Sequence, residues 1–316
     1  MTAVFLDRES LDRQDLDLSR LTSAVSDWMW FEYTPADKTL ARIGDASIVV
    51  SNKVVLDRAI LEQAPNLKLV CIAATGTNNI DLMAAHELGI SVCNVRGYAT
   101  PSVVQHVFAL ILSLTTHLAD YTRDIAEGRW QKSRQFCLLD HPIRELGGKT
   151  LGIVGYGELG KAVAETARAF GMGVILAQRP GTEPTRGREP LDRVLAVADV
   201  VSLHCPLTEE TRDLIGPREL TRMKPDALLI NTARGGIVDE AALASALRDG
   251  RLGGAGIDVL AQEPPGAESP LLAADIPNLI VTPHIAWASR SSRQRLLDGV
   301  AGNIEAWLRG EPRNLV

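Results

Sequence analysis

Basic residues are not in surplus in this chain. Its 33 Lys and Arg stand against 39 Asp and Glu, a net charge of −6. A nucleic-acid partner needs a clustered basic surface to neutralise phosphates, so none is expected, and the acidic excess is read as serving solubility. Cysteine is equally sparse. Cys71, Cys93, Cys137 and Cys205 lie far apart without a C-x-x-C pair, which signals neither a disulfide scaffold nor a zinc site. Reduced thiols in a cytoplasm, with no metal, are the expectation. Long apolar runs are missing too. The stretch from Val107 to Leu114 falls far short of the roughly 20 residues that span a bilayer. The start, Met1-Thr2-Ala3-Val4-Phe5-Leu6-Asp7-Arg8-Glu9, turns charged too early for a secretory leader. Neither a membrane nor an export route is expected.

What is present is an ordinary globular balance, 46% hydrophobic and 23% charged over 316 residues, enough chain for two domains. Short apolar runs at Val4–Leu6, Ile48–Val50, Leu69–Ala73 and Ile90–Val95 alternate with helix-patterned segments such as Leu56–Gln63 and Leu82–Leu88. A second series runs through Leu151–Val154, Val174–Leu176, Val200–Leu203, Leu228–Ile230, Ala255–Val259 and Leu279–Val281. Alternation of this kind predicts two α/β domains, each a doubly wound parallel sheet. Between the series, Thr100-Pro101 reads as the start of a helix, with Val103, Val104, Val107, Phe108, Ile111 and Leu112 at helical spacing. Residues 120–148 carry Trp130, Phe136 and Leu138 among charges without clear periodicity, and read either as an arm on a partner subunit or as a long surface loop. The segment Ser289–Leu308 regains helical spacing and is expected to pack back onto the first domain. The boundaries predicted are therefore 1–99 with 287–316 for one domain and 100–286 for the other.

One motif stands out. Gly155-Tyr156-Gly157-Glu158-Leu159-Gly160 follows an apolar run and opens a helix-patterned segment at Lys161. Alone, such a motif is as compatible with a glycine-rich surface turn. In this setting Gly155 allows the tight turn, Gly157 lets the backbone approach a pyrophosphate, and Gly160 brings helix and strand close, with the helix N-terminus offering N–H donors to phosphate. In a doubly wound sheet ligands bind beyond the carboxyl ends of the strands. The residues just past each run are unusually polar: Gln178-Arg179, His204-Cys205-Pro206, Asn231-Thr232-Ala233-Arg234-Gly235-Gly236, Asp258 with Glu263, and Pro283-His284.

These motifs, in this order and over essentially the whole chain, resemble the D-isomer-specific 2-hydroxyacid dehydrogenases, within them the glycerate dehydrogenase/hydroxypyruvate reductase (glyoxylate reductase) group. The resemblance rests on Leu151–Gly160, His204–Thr208 with Thr211, Met223-Lys224-Pro225, Asn231–Gly236 with Val238-Asp239, Gly256–Val259 with Glu263-Pro264, and Thr282-Pro283-His284. In the first domain Thr75-Gly76 with Asn79-Ile80-Asp81 looks like the family's substrate loop, with Thr77-Asn78 a less usual filling. It implies a Rossmann dinucleotide domain, a smaller flavodoxin-like substrate domain, and a homodimer.

The resemblance also implies that Arg234, Glu263 and His284 are catalytic. Chemistry agrees. Reduction of a 2-keto acid needs a cation for the carboxylate, a proton donor at the carbonyl oxygen and a hydride. Arg234 can bind a carboxylate bidentately, and a histidine, with an ordinary pKa of about 6.5, can deliver the proton. A Glu263 carboxylate beside it would favour imidazolium and fix its orientation. Backbone N–H groups at Gly76 and Thr77 are implied to hold substrate. Thr75, Val104, the glycine-loop residues, Gln178, Arg179, Cys205, Thr232, Ala233, Asp258 and His284 are implied to contact the cofactor. NAD-specific sites carry an acidic residue roughly 20 positions past the glycines. This chain has Gln178 there, then Arg179, so NADP(H) is favoured and NAD(H) remains possible. Three rivals share the fold: formate dehydrogenase, which by family pattern pairs the histidine with glutamine where this chain has Glu263; a short phosphoglycerate dehydrogenase, since the chain ends at Val316; and a dinucleotide-sensing corepressor.

Overall fold

The computed structural model describes residues 1–183 and 185–316; Pro184, in the polar Pro180–Pro190 loop, lies outside the described residues. The chain divides into two compact units, Met1–Ala99 with Trp287–Val316, and Thr100–Ala286.

The first unit is a five-stranded parallel sheet of β1 (Thr2–Phe5), β2 (Asp27–Trp30), β3 (Ile48–Ser51), β4 (Leu69–Ile72) and β5 (Ser91–Cys93), in the order β2-β1-β3-β4-β5. That is the flavodoxin-like order. The central strands β3 and β4 are buried along their whole length, which is why they read as continuous apolar runs instead of alternating ones. Helices α1 (Ser19–Ala24), α2 (Thr39–Ile43), α3 (Arg58–Glu62) and α4 (Leu82–Glu87) connect them. The C-terminal helix, Arg290–Leu308, buries Leu296, Leu297, Val300 and Ile304 in the same core as Phe5, Val50 and Cys71. Bidentate ion pairs, Arg293 to Asp15 and Arg20 to Glu305, tie it to the N-terminal segment.

The second unit opens with α5 (Thr100–Thr116) and α6 (Leu118–Ala126), followed by β6 (Thr150–Val154), α7 (Glu158–Ala169), β7 (Gly173–Leu176), α8 (Leu191–Val197), β8 (Val200–Leu203), α9 (Pro217–Arg222), β9 (Leu228–Asn231), α10 (Glu240–Arg248), β10 (Gly254–Ile257) and β11 (Leu279–Val281). The C-terminal helix is thus α11. The parallel sheet runs β11-β10-β9-β8-β6-β7. Beyond β7 a single bridge, Ala177 to Glu189, carries the ladder one step further through Glu189 N to Leu176 O (2.8 Å) and Gln178 N to Glu189 O (2.7 Å). With that bridge in the third place the order is the Rossmann one, and the chain reverses direction across the sheet at β6 and β8.

Two elements depart from the sequence reading. Part of 120–148, which carries no clear apolar period, is helical: α6 occupies Leu118–Ala126, polar on most faces and buried at Asp124. The strand β2 gave no apolar run because it is an edge strand, its tryptophans only partly covered. Among the described residues no single helix is long and apolar enough to cross a membrane.

Candidate active site

The site in the second unit is built from the turns after β9, β10 and β11. After β9, Asn231 closes an Asx-type turn, its Oδ1 accepting from Ala233 N (3.0 Å) and its Nδ2 donating to Arg234 O (2.9 Å). The Arg234 guanidinium leans back on Ala233 O (2.6 Å), stays half-buried, and forms no ion pair with any described residue. Gly235 is obligatory here. A Cβ at that position would lie 1.9 Å from Leu260 O, so the absence of a side chain lets the arginine turn abut the turn that follows β10.

That second turn carries Glu263. One carboxylate oxygen accepts from Leu260 N (2.9 Å) and the other meets His284 Nδ1 at 2.6 Å. With Nδ1 bonded to the carboxylate, any proton exchanged with a ligand would pass through Nε2. His284 sits at φ +54°, a left-handed conformation costing a non-glycine residue about 1 kcal/mol or more. Its backbone is held against that cost: His284 N donates to Asp258 O (2.8 Å) and Thr282 O (2.9 Å).

Asp258 is the hub. It is 1% exposed, and its side chain accepts from Thr282 Oγ1 (2.6 Å), Ile285 N (2.9 Å) and Ala286 N (2.9 Å). The partner that a buried carboxylate requires is therefore supplied by the loop bearing His284, and any bond to a cofactor is additional to these three.

On the dinucleotide side, Gly155 adopts φ +94°, and a Cβ there would fall 2.5 Å from the His204 carbonyl carbon. At Gly160 a Cβ would lie 2.1 Å from Gly155 O, whereas at Gly157 it would meet nothing within 4 Å. Gly157, the N-cap of α7, thus stands open beside the first N–H groups of the helix, the kind of helix N-terminus at which phosphate can bind. Thr232 Oγ1 is buried without a hydrogen-bond partner. A buried hydroxyl in that state calls for a partner. Ala233 is buried, Val104 half-buried on α5, and burial pushes the Cys205 thiol above its ordinary range, so it stays uncharged. His204, bonded through Nε2 to Ser202 Oγ (2.9 Å), is lowered to about 4 by burial and is neutral.

Gln178, expected among the cofactor contacts, is hydrogen-bonded within its own loop. Its Nε2 donates to Thr182 Oγ1 (2.5 Å) and Glu183 O (2.7 Å), and its Oε1 accepts from Thr185 N (3.0 Å). The amide is spent on shaping its own loop. Arg179 beside it is exposed, and Arg188 lies over the Tyr156 ring of the glycine loop at 5.8 Å. In the first unit, Thr75 Oγ1 donates to Val95 O (2.9 Å) and Asn94 Nδ2 to Thr75 O (2.7 Å). Among the described residues the N–H groups of Gly76 and Thr77 donate no hydrogen bond.

Sequence reasoning missed one group. His117, Asp120 and His141 carry donor atoms within 4.8 Å of one another, close enough to share a metal ion. Hydrogen bonding accounts for the arrangement: His117 Nδ1 meets Asp120 at 3.0 Å and His141 Nε2 meets Asp124 at 2.9 Å. Nothing in the spacing of 117, 120 and 141 signalled it, because the second histidine arrives by tertiary folding.

A model of the D-isomer specific 2-hydroxyacid dehydrogenase, NAD binding domain, matches residues 108–286, more than half of the chain. The protein belongs to that family. It is 46% identical over 316 residues to the glycerate dehydrogenase of Methylorubrum extorquens, covering 99% of this chain and 98% of that one. To the hydroxypyruvate reductase of Blautia hydrogenotrophica it is 38% identical over 323 residues, covering 100% and 99%. The solved NADPH-dependent glyoxylate/hydroxypyruvate reductase of Sinorhizobium meliloti, in complex with NADP and malonate, superposes with a TM-score of 0.83 at 28% identity, covering 100% of this chain and 96% of that one. The protein is accordingly an oxidoreductase that transfers a hydride between a nicotinamide dinucleotide and a small 2-keto or 2-hydroxy acid.

Proposed function

We propose that the enzyme reduces hydroxypyruvate and glyoxylate to D-glycerate and glycolate, with NADPH preferred over NADH. The observation that carries this reading is a half-buried arginine with no ion-pair partner among the described residues, one turn away from a histidine held by a glutamate at 2.6 Å. The arginine binds the substrate carboxylate bidentately and polarises the carbonyl. The bound nicotinamide supplies the hydride to the carbonyl carbon. His284 Nε2 delivers the proton to the carbonyl oxygen, and Glu263 stabilises the charged ring before transfer and orients it throughout. Gly76 and Thr77 contribute backbone N–H donors to the carboxylate. Thr75, Val104, Cys205, Thr232, Ala233 and Asp258 contact the cofactor. Arg179 and Arg188 answer a 2′-phosphate with positive charge where an NAD site would present a carboxylate.

A screen of 2-keto acids with NADPH and NADH tests the reading. Highest kcat/KM for hydroxypyruvate or glyoxylate with NADPH is the expected result. Turnover of neither, or a preference for phosphohydroxypyruvate, overturns it.

The same reading includes a homodimer and a cytoplasmic location. The dimer draws on 118–143, where Trp130, Phe136, Leu139 and Ile143 are exposed by 50%, 88%, 83% and 60%, a density of exposed apolar side chains that a monomer rarely tolerates. Light scattering of the protein and of Phe136→Asp is expected to give a dimer and a weakened dimer. The location draws on four cysteines that are all free thiols.

A further inference from the structure

The histidine that transfers the proton is carried on a loop that α5 grips from behind, and the grip follows one helical seam. Ser102, His106, Leu110 and Leu114 recur every four residues, so they share a face of α5. The apolar half of the seam lies on β10, where side chains are missing. A Cβ on Gly256 would fall 2.9 Å from Leu110 Cβ, and one on Gly254 3.3 Å from Leu114 Cδ2. These two glycines let the helix descend onto the sheet.

The polar half of the seam consequently reaches the loop after β11. Ser102 Oγ donates to Ala286 O (2.7 Å). His106 Nε2 stands 2.9 Å from Thr282 Oγ1 and 3.5 Å from Asp258 Oδ1. Thr282 Oγ1 in turn donates to Asp258 Oδ1 at 2.6 Å. A hydroxyl has one hydrogen. Since that hydrogen goes to the carboxylate, Thr282 Oγ1 is an acceptor towards His106, and His106 must carry its proton on Nε2.

We propose that His106 is a positioning residue for the reaction. It acts through a directed chain from His106 Nε2–H to Thr282 Oγ1–H to Asp258, whose two oxygens clamp the N–H groups of Ile285 and Ala286 on the far side of His284. The chain does not touch substrate. Its work is to orient the Asp258 carboxylate so that its lone pairs meet two backbone donors, which keeps His284 at its left-handed φ with its ring turned to Glu263. Alignment errors of a fraction of an ångström at a proton donor are costly, and supports of this kind behind a catalytic ligand are correspondingly expensive to remove. The proposal deepens the reductase reading and rests on His284 as the proton donor.

The test uses the whole enzyme, three single variants and one double variant. In His106→Phe and Thr282→Val, kcat for keto-acid reduction is expected to fall on the order of 10-fold, with the KM of the keto acid and the melting temperature little changed. His106→Gln, whose amide can donate to Thr282, is expected to recover most of the loss. The double variant His106→Phe/Thr282→Val is expected to be no worse than the poorer single one, because both break one chain. A readout without turnover is the long-range 15N–1H spectrum of the imidazoles, in which His106 is expected as the Nε2–H tautomer. Wild-type kcat in His106→Phe, strict additivity of the pair, or an Nδ1–H tautomer overturns the proposal. If His284→Gln retains wild-type turnover, the reductase mechanism itself has failed; that result is separate from a normal His106→Phe in an enzyme that depends on His284.

Discussion

Two loops at the strand ends of the second unit solve opposite problems. The one after β11, Thr282–Ala286, is fastened from several sides: a carboxylate that is 1% exposed takes three bonds from it, and α5 bonds it at Ser102 and His106. In the one after β7, most of the described residues of 178–189 are exposed, and their side-chain bonds are mostly local ones from Gln178 and Thr182. The first holds a strained residue in a single orientation, which a buried polar network can do because every member is satisfied. The second presents charge on a polar scaffold that water competes for. The proposed reacting groups therefore lie where change is costly, and the proposed cofactor-selecting charges where it is cheap.

The contrast is broken most severely at its centre. His284→Gln removes the proton donor and is expected to lower turnover on the order of 10²-fold or more, with dinucleotide affinity nearly unchanged. Single-turnover reduction with separate titration of NADPH measures both, and near-wild-type turnover would remove His284 from the mechanism.

Next in size is the exposed loop. Arg179→Ala deletes one charge-assisted bond to a 2′-phosphate, worth about 1.5–3 kcal/mol, so the NADPH/NADH ratio of kcat/KM is expected to fall by roughly ten- to a hundredfold. A ratio that moves by less than about twofold would show that Arg179 does not read the phosphate. Gln178→Ala sharpens the point. Because its amide braces the loop and binds no cofactor in this account, both efficiencies are expected to fall together by a few-fold, with the ratio held within about twofold. A ratio that shifts as far as in Arg179→Ala would return Gln178 to the cofactor site.

The smallest effect concerns stability. Burial lowers His204 from 6.5 to about 4. In the unfolded chain the same imidazole takes its proton at the higher pH, so between the two values the unfolded state binds more protons than the folded one. Stability from this residue is complete above about pH 6.5 and declines as pH falls towards about 4. Thermal melts across that interval are expected to show a slope in wild type that is shallower in His204→Asn. An identical slope would mean that His204 is not the group responsible.

Much of this was legible from residue order. The runs at β8 and β9 announced themselves because both faces of these strands are covered, leaving mostly Val, Ile and Leu. The glycine loop was legible because it stands between an apolar run and a helix-patterned segment, and Arg234, Glu263 and His284 stood out through the family resemblance and because each lies a few residues past a strand end. Edge strand β2 and helix α6 were not, since partial exposure blurs their apolar period. Gln178 marks a limit of that legibility: its position after β7 suggested a cofactor contact, whereas its hydrogen bonds to Thr182, Glu183 and Thr185 are visible only in the folded loop.

The sequence by itself determined the layer architecture, the dinucleotide motif and the placing of Arg234, Glu263 and His284 past strand ends, because those depend on local periodicity and on residue types at strand ends. Only the tertiary structure decided which groups support them. That His106 on α5 faces Thr282, 176 positions along the chain, follows from two glycines that let a helix settle onto β10, and no local pattern in either segment encodes the encounter. Long-range hydrogen bonds of this kind are set by packing distance, which becomes defined only once the core has closed.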